Sequence, residues 1–243
     1  AYNNTQAKTM MQEIMSSDLE EADWMLSQGN RHFHDKRYAD AIHCYDLALE
    51  LFPQFPMAFN NRARSYFMLQ QYEGARDDYR CAISLDPLNG LYHLNHGILL
   101  NAMHEHEQAI EEFTVCIEKL SFVEPTVYMN RGYAYACTGH VSLALDDNRR
   151  VLSVDPHNLH ALNNMAHCYD ELGETEKAIE LFSHMIDIDP HCEQAYDARG
   201  RLFYSIGLLD RAIVDYTRAM QVSDSVKGTA LRHRAEVLRV KGL

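Results

Sequence analysis

The chain has 243 residues, 47% hydrophobic and 23% charged, which is ordinary globular composition and enough for one big or two modest domains. A formal charge of -13 excludes the basic face of a general nucleic-acid binder. The acidity is uneven: from Tyr196 onward nine Lys/Arg face five Asp/Glu, so the preceding 195 residues carry about -17 and favour neutral, apolar or basic partners.

No eighteen apolar residues run together, and no basic start leads into a short apolar stretch, so neither a membrane span nor a signal peptide is legible. A soluble, cytoplasmic protein without membrane or nucleic-acid contact is expected. Six cysteines without a CxxC suit single buried thiols better than a disulfide framework or a zinc site. The glycosylation triplet Asn3-Asn4-Thr5 is of a kind that arises by chance.

In chain order, residues 5–15 form the first candidate helix, with Ala7, Met10, Met11, Ile14 and Met15 on one side. Ser17 with Glu20 makes a capping box for the next helix, so residues 1–21 are expected to cap the first repeat. From about residue 22 to 226 one period dominates. Ala41, Ala75, Ala109, Ala144, Ala178 and Ala212 are separated by 34, 34, 35, 34 and 34 residues. Twelve residues before each stands Gly29, Ala63, Gly97, Gly132, Ala166 or Gly200; four after it stands Tyr45, Tyr79, Phe113, Asn148, Phe182 or Tyr216. Prolines 53, 87, 156 and 190 follow at twelve. The expected units are about 22–55, 56–89, 90–124, 125–158, 159–192 and 193–226.

Each unit reads as two amphipathic helices joined by a short turn, the second halted near Asp-Pro. Small residues let the two axes approach, the aromatic fills the adjoining space, and the apolar face left over is covered by the next pair. The expected fold is all-α, a stacked solenoid of antiparallel helix pairs. Repeat four departs from the pattern: Asn148 replaces the aromatic, and an extra residue falls near "SFVEP". Asn148 is either a weak point or a contact site. Residues 227–243 read as the first helix of a seventh unit or as a C-terminal cap. The start at Ala1 and the stop at a turn suggest an excerpt of a longer protein.

This period, with its small, aromatic, alanine and proline positions, resembles the tetratricopeptide repeat family over six units. The resemblance implies a right-handed superhelical solenoid whose concave groove binds a peptide segment of a partner, with asparagine amides holding the peptide backbone.

Numbering each unit so that the register alanine is position 20, positions 4, 8 and 11 of the first helix face its core. Positions 2, 6, 9 and 13 lie about 150–200° away. Position 6 holds Asn61, Asn95, Asn130 and Asn164 in four successive repeats. One carboxamide offers donor and acceptor together, so such a ladder can satisfy a peptide N–H and C=O without reading side chains. The competing reading is that these asparagines bond neighbouring helices of the scaffold. Asn60 and Asn163, at position 5, carry less weight. Leu91, Leu94 and Ile98 make the first helix of repeat three apolar almost all round; with Met57, Met68, Met129 and Tyr133 they predict an apolar patch across repeats two to four. Arg64 is placed to pair with an acidic side chain. In repeats five and six the stripe turns polar, through His160, His167, Asp170, Glu171, Asp197 and Arg201.

Co-chaperone members of the family grip a terminal carboxylate with lysines, asparagines and an arginine. Here Asn30 and Asn61 match, but Leu26, Leu91 and Asn95 stand where cations belong. A start one repeat later supplies Asn60, Arg64 and Asn95, but Thr126 and Asn130 replace cations. No P-loop, HExxH, GxSxG or GxGxxG is present. His104 and His106 flank Glu105 without sharing a helix face, and His191-Cys192 has no further ligands at zinc spacing. The expected function is therefore a non-catalytic interaction scaffold, without cofactor or metal. The alternatives are the substrate-recruiting arm of a larger enzyme such as a protein glycosyltransferase, or a structural subunit of a ciliary or trafficking assembly.

Overall fold

The computed structural model describes the backbone of residues 2–222 and 227–242, and the side chains of 17–222 and 228–242. Among these residues there are helices and turns but no strand. The chain divides into two compact units, Ala1–Val123 and Glu124–Leu243.

The first unit holds α1 (Tyr2–His34), α2 (Tyr38–Leu51), α3 (Pro56–Met68), α4 (Tyr72–Leu85), α5 (Gly90–Ala102) and α6 (His106–Thr114). A π-helical turn, Val115–Lys119, prolongs α6. The second holds α7 (Pro125–Cys137), α8 (Val141–Val154), α9 (Leu159–Glu171), α10 (Thr175–Ile188), α11 (Glu193–Ser205), α12 (Leu209–Val222) and α13 (Lys227–Lys241). Within each unit every helix packs on the next in chain order.

One contact recurs inside each pair. A Cβ added at Gly29 would stand 2.4 Å from the Tyr45 ring, at Gly97 2.5 Å from Phe113, and at Gly200 2.9 Å from Tyr216. The rings of Tyr45, Phe113 and Tyr216 are fully buried, so they cannot yield to such a methyl group. Glycine at position 8 is thus a matter of space: position 24 of the facing helix occupies it. Repeats two and five accommodate Ala63 beside Tyr79 and Ala166 beside Phe182. In repeat four Asn148 takes the ring's place fully buried, its amide 2.6 Å from where a Gly132 Cβ would be. Its Nδ2 donates to the Ala144 carbonyl at 2.8 Å, so the substitution is internal rather than a surface contact.

The core is wider than positions 4, 8 and 11. Positions 3 and 10 are buried in repeats two to six, by Ala58, Tyr92, Val127, Ala161 and Ala195, and by Ser65, Leu99, Ala134, Cys168 and Leu202. The reason lies between repeats: α3 packs on α1, α5 on α3 and α9 on α7, which covers a second face of each first helix. Leu94 is buried as well and so leaves the exposed stripe.

The turn inside each pair also keeps the period. Lys36, Gln70, His104, Gly139, Gly173 and Gly207 all have φ between +60° and +79°. The amide that follows each closes a six-residue turn onto the first helix, as in Arg37 N to His32 O at 2.9 Å and Leu208 N to Phe203 O at 2.8 Å. That is the Schellman arrangement, which favours glycine because a Cβ crowds the left-handed backbone.

Two sequence expectations come out differently. The Ser17–Glu20 capping box starts no helix, because α1 runs unbroken from Tyr2 to His34 and both side chains are exposed. The side chains of Ala7, Met10, Met11, Ile14 and Met15 lie outside the described residues. The extra residue, read with repeat four, falls in repeat three, absorbed in the π-helical turn where Leu120 N bonds Val115 O. Phe122 then folds back so closely on Gly90 that a Cβ there would meet its ring at 2.4 Å.

Gln70→Gly is expected to raise stability by about 1 kcal/mol by removing left-handed strain, and Gly173→Ala to lower it by about 1–2 kcal/mol. Phe113→Ala should cost about 3–5 kcal/mol. Urea unfolding followed by circular dichroism checks all three.

Candidate functional site

The helical period puts positions 2, 6, 9 and 13 of each first helix on one stripe, and the structure exposes most of it. In the first unit Met57, Arg64 and Met68 are exposed, Leu91 is 45% exposed, and Asn61, Asn95 and Ile98 are half-buried. In the second unit Tyr133 is 41% exposed with Asn130 and Met129 half-buried beside it. Further along that unit His160, His167, Asp170, Glu171 and Arg201 are exposed. Asp197 is half-buried and accepts from His233 Nδ1 at 3.0 Å.

The asparagines are bound to the scaffold and to one another. Asn95 Nδ2 donates to Asn60 Oδ1 at 2.8 Å, Asn60 Nδ2 to Asn61 Oδ1 at 2.9 Å, and Asn61 Nδ2 to Asn30 Oδ1 at 2.8 Å. The Tyr45 hydroxyl donates to the same Asn30 oxygen at 2.9 Å. One directional relay of amides therefore joins α5, α3, α1 and α2, and each link polarises the next. Asn60, only 2% exposed, is its hub. Sequence reasoning gave that residue little weight, because a position between two helix axes is visible only once the axes are placed. In the second unit Asn130 Nδ2 donates to the Thr126 carbonyl at 2.8 Å and Asn164 Nδ2 to Asn148 Oδ1 at 3.4 Å.

Arg64 lies over the Phe33 ring, 4.7 Å from its centre, at the rim of a cavity of about 180 Å³ that Asn30, Asn61 and Tyr45 also line. Burial pushes the Tyr45 hydroxyl well above its ordinary pKa, against the lowering effect of Arg64, which keeps it a donor. Of the residues compared with a carboxylate grip, Leu26 is buried and Asn95 is engaged by Asn60.

A second polar layer was missed. Position 7 of the first helix faces position 23 of the second, sixteen residues on. Arg62 grips Asp78 with two bonds of 2.7 Å, Arg131 grips Asp147 at 2.8 and 2.9 Å, and Arg199 grips Asp215 at 2.8 and 2.9 Å. All three aspartates are buried. Such forked, charge-assisted pairs fix two helices in rotation and register as well as in separation. Repeat five carries Met165 and Leu181 there instead, in an apolar cluster. The signal was present as Arg and Asp at a spacing of sixteen in alternate repeats.

In repeat three the pair is His96 and Glu112, and His93 joins it. Glu112 accepts from His93 Nδ1 at 2.6 Å and from His96 Nδ1 at 3.0 Å, and His93 Nε2 reaches the Pro87 carbonyl at 3.1 Å. A carbonyl and a carboxylate both accept, so both ring nitrogens of His93 find an acceptor when it is protonated. Burial alone would raise the Glu112 carboxyl, but the bonds and charges of the two histidines bring it down to about 2. The bond to Glu112 raises the His93 pKa against burial. His96 is 6% exposed and its Nε2 has no partner.

Among the described residues no three His, Cys, Asp or Glu side chains converge as a metal set, and no helix is long and apolar enough to cross a membrane. His104 and His106 meet edge to face at 5.8 Å, with His106 Nδ1 3.1 Å from Asn101 Oδ1.

Two family models, both described as the tetratricopeptide repeat, match residues 141–202 and 56–89. The chain is 32% identical over 101 residues to the small glutamine-rich tetratricopeptide repeat-containing protein 2 of Mycosarcoma maydis, which covers 42% of this chain and 29% of that one. The chain thus spans under a third of the length of the first curated relatives it matches. Among solved structures, PilW, a type IV pilus biogenesis factor, superposes with a TM-score of 0.77 at 17% identity, over 86% of this chain and 97% of that one. YrrB, a tetratricopeptide-repeat protein with an unusual peptide-binding site, gives 0.61 at 16% identity, over 82% and 98%. At these identities the solved structures speak to the fold alone.

Asn60→Ala leaves Asn95 without an acceptor and Asn61 without a donor, so it is expected to cost about 1–3 kcal/mol in urea unfolding, where the exposed Gln194→Ala costs under about 0.5. The histidine cluster sets a pH window. Glu112, with its pKa depressed from 4.5 to about 2, stabilises above its unfolded value and loses that contribution as pH falls through the folded one. His93, raised above 6.5, stabilises below its unfolded value and loses that contribution as pH climbs through the folded one. The stability difference between the natural chain and Glu112→Gln should therefore peak at about 2–3 kcal/mol between pH 4.5 and 6.5 and shrink on either side, as read by unfolding at pH 3, 5.5 and 8.5.

Proposed function

From the premise that the chain is a tetratricopeptide-repeat protein, an interaction scaffold by fold, we propose that each of its two units holds an extended or helical segment of a partner protein along its own stripe of positions 2, 6, 9 and 13. The observation that carries this is exposure on the stripe: Leu91 at position 2 in the first unit and Tyr133 at position 9 in the second are exposed, each on a helix whose position 6 holds a half-buried asparagine. Apolar side chains left exposed on such a stripe are what a bound segment would cover. Leu91 and Ile98 supply that contact in the first unit and Tyr133 in the second, and Arg64 meets an acidic side chain.

Asn61, Asn95 and Asn164 each spend one N–H on the scaffold, which leaves a second N–H on each for a peptide carbonyl. Asn130 joins them at the same repeat position. Fixed in orientation by those internal bonds, the amides present their remaining groups without further ordering, which lowers the entropy lost on binding. The acidic body favours a neutral, apolar or basic segment. The role is non-catalytic. Six free cysteines suit a reducing compartment, and the cytoplasm is the location we assign.

Leu91→Glu combined with Tyr133→Glu tests the reading without touching the asparagine scaffold. Partners captured from lysate by the natural chain should be lost at least about tenfold by the double variant, with helicity by circular dichroism unchanged. Undiminished capture of the same partners would move binding off the stripe.

A further inference from the structure

On the opposite side of the first helices, about 150° from the stripe, positions 7 and 11 look into clefts closed by second helices. The cleft between α10, α11 and α12 has a volume of about 490 Å³, and its counterpart between α4, α5 and α6 about 290 Å³. Positions 7, 11, 19, 22 and 23 line both, so their chemistry can be compared place by place. Where the repeat-three cleft has Leu100, Gln108 and Glu111, the repeat-six cleft has Phe203, Arg211 and Val214. One is polar and acidic, the other apolar with a cation at its edge.

The charges of the repeat-six cleft are satisfied with one exception. Arg199 is engaged through all three of its nitrogens, by Asp215 and by Ser183 Oγ at 2.8 Å, and Asp210 is paired with Lys241. Arg211 lies over the Phe203 ring, 5.6 Å from its centre, as Arg199 lies 5.7 Å from the same centre, and Arg211 has no acid partner among the described residues. Stacking occupies a guanidinium's face and leaves its N–H edge for a planar anion. Beside it Val214 is 65% exposed, and Ile179 forms the far wall. Asp210 and Asp215 in the same cleft repel a dianion more than a monoanion, which selects a carboxylate over a phosphate.

We propose that this cleft docks a partner peptide carrying a bulky aliphatic residue next to a carboxylate, the aliphatic group lying on Val214, Ile179 and Phe203 and the carboxylate pairing with Arg211. The surface is independent of the stripe, lying on the other side of the first helix and at repeat six.

The probe is acetylated, amidated Gly-Leu-Glu-Gly, titrated into the 243-residue chain and followed by backbone amide NMR. Saturable shifts centred on Phe203, Arg211 and Val214 are expected, about fivefold weaker with Gln for Glu or Ala for Leu in the peptide. Arg211→Gln should bring the Glu and Gln peptides to equal affinity, Arg211→Lys should retain part of the preference, and Val214→Glu should abolish the shifts. Leu91→Glu with Tyr133→Glu should leave them unchanged, which separates this site from the stripe. No saturable shift, equal binding of the Glu and Gln peptides to the natural chain, or shifts centred on Tyr133 and Asn164 would each overturn the proposal.

Discussion

Everything in this molecule depends on how closely two helices of a pair approach. The distance is set by one contact, a residue with little or no side chain at position 8 against a buried ring at position 24. Gly29 with Tyr45, Gly97 with Phe113 and Gly200 with Tyr216 are the cases against a ring where not even a methyl group fits. Close approach brings dispersion contacts to native density and sets the rotation of each helix, so it also decides which residues of the first helix face outward. The stripe and the back clefts are consequences of that spacing.

Polar groups then specify what the apolar contact leaves open. A ring in a slot fixes distance but tolerates sliding, whereas a forked Arg–Asp pair permits one register. Repeats two, four and six carry that pair, repeat three replaces it with two histidines sharing Glu112, and repeat five dispenses with charge through Met165 and Leu181. Between repeats of the first unit the asparagine relay does comparable work, because each amide is donor and acceptor at once. Holding those amides to the scaffold and offering a spare N–H to a ligand are compatible uses of one side chain.

The repeat was legible because it rests on residue size, and size is written in the sequence. Ala41 and its five successors are all fully buried, and the left-handed turn keeps the same spacing from Lys36 to Gly207. The stripe was legible for a related reason, since helical period alone fixes angle around an axis. Three things were not. Ser17 and Glu20 have the chemistry of a helix start, yet α1 passes through them, because a capping box stabilises an end and cannot impose one. Leu94 reads as stripe from its own helix but is buried. Asn60 looks peripheral and is the hub of the amide relay.

By itself, then, the sequence determined the all-α repeat, the length of its unit, the small and aromatic positions, and the face of each first helix that turns outward. Those are properties of one helix pair, set by local period and side-chain volume. Tertiary structure decided which asparagines bond to which, how Glu112 came to hold two histidines, and why Arg199 grips an acid while Arg211 meets none among the described residues. Each of these depends on the distance between groups on different helices, and sequence spacing does not carry that distance until packing has fixed the axes.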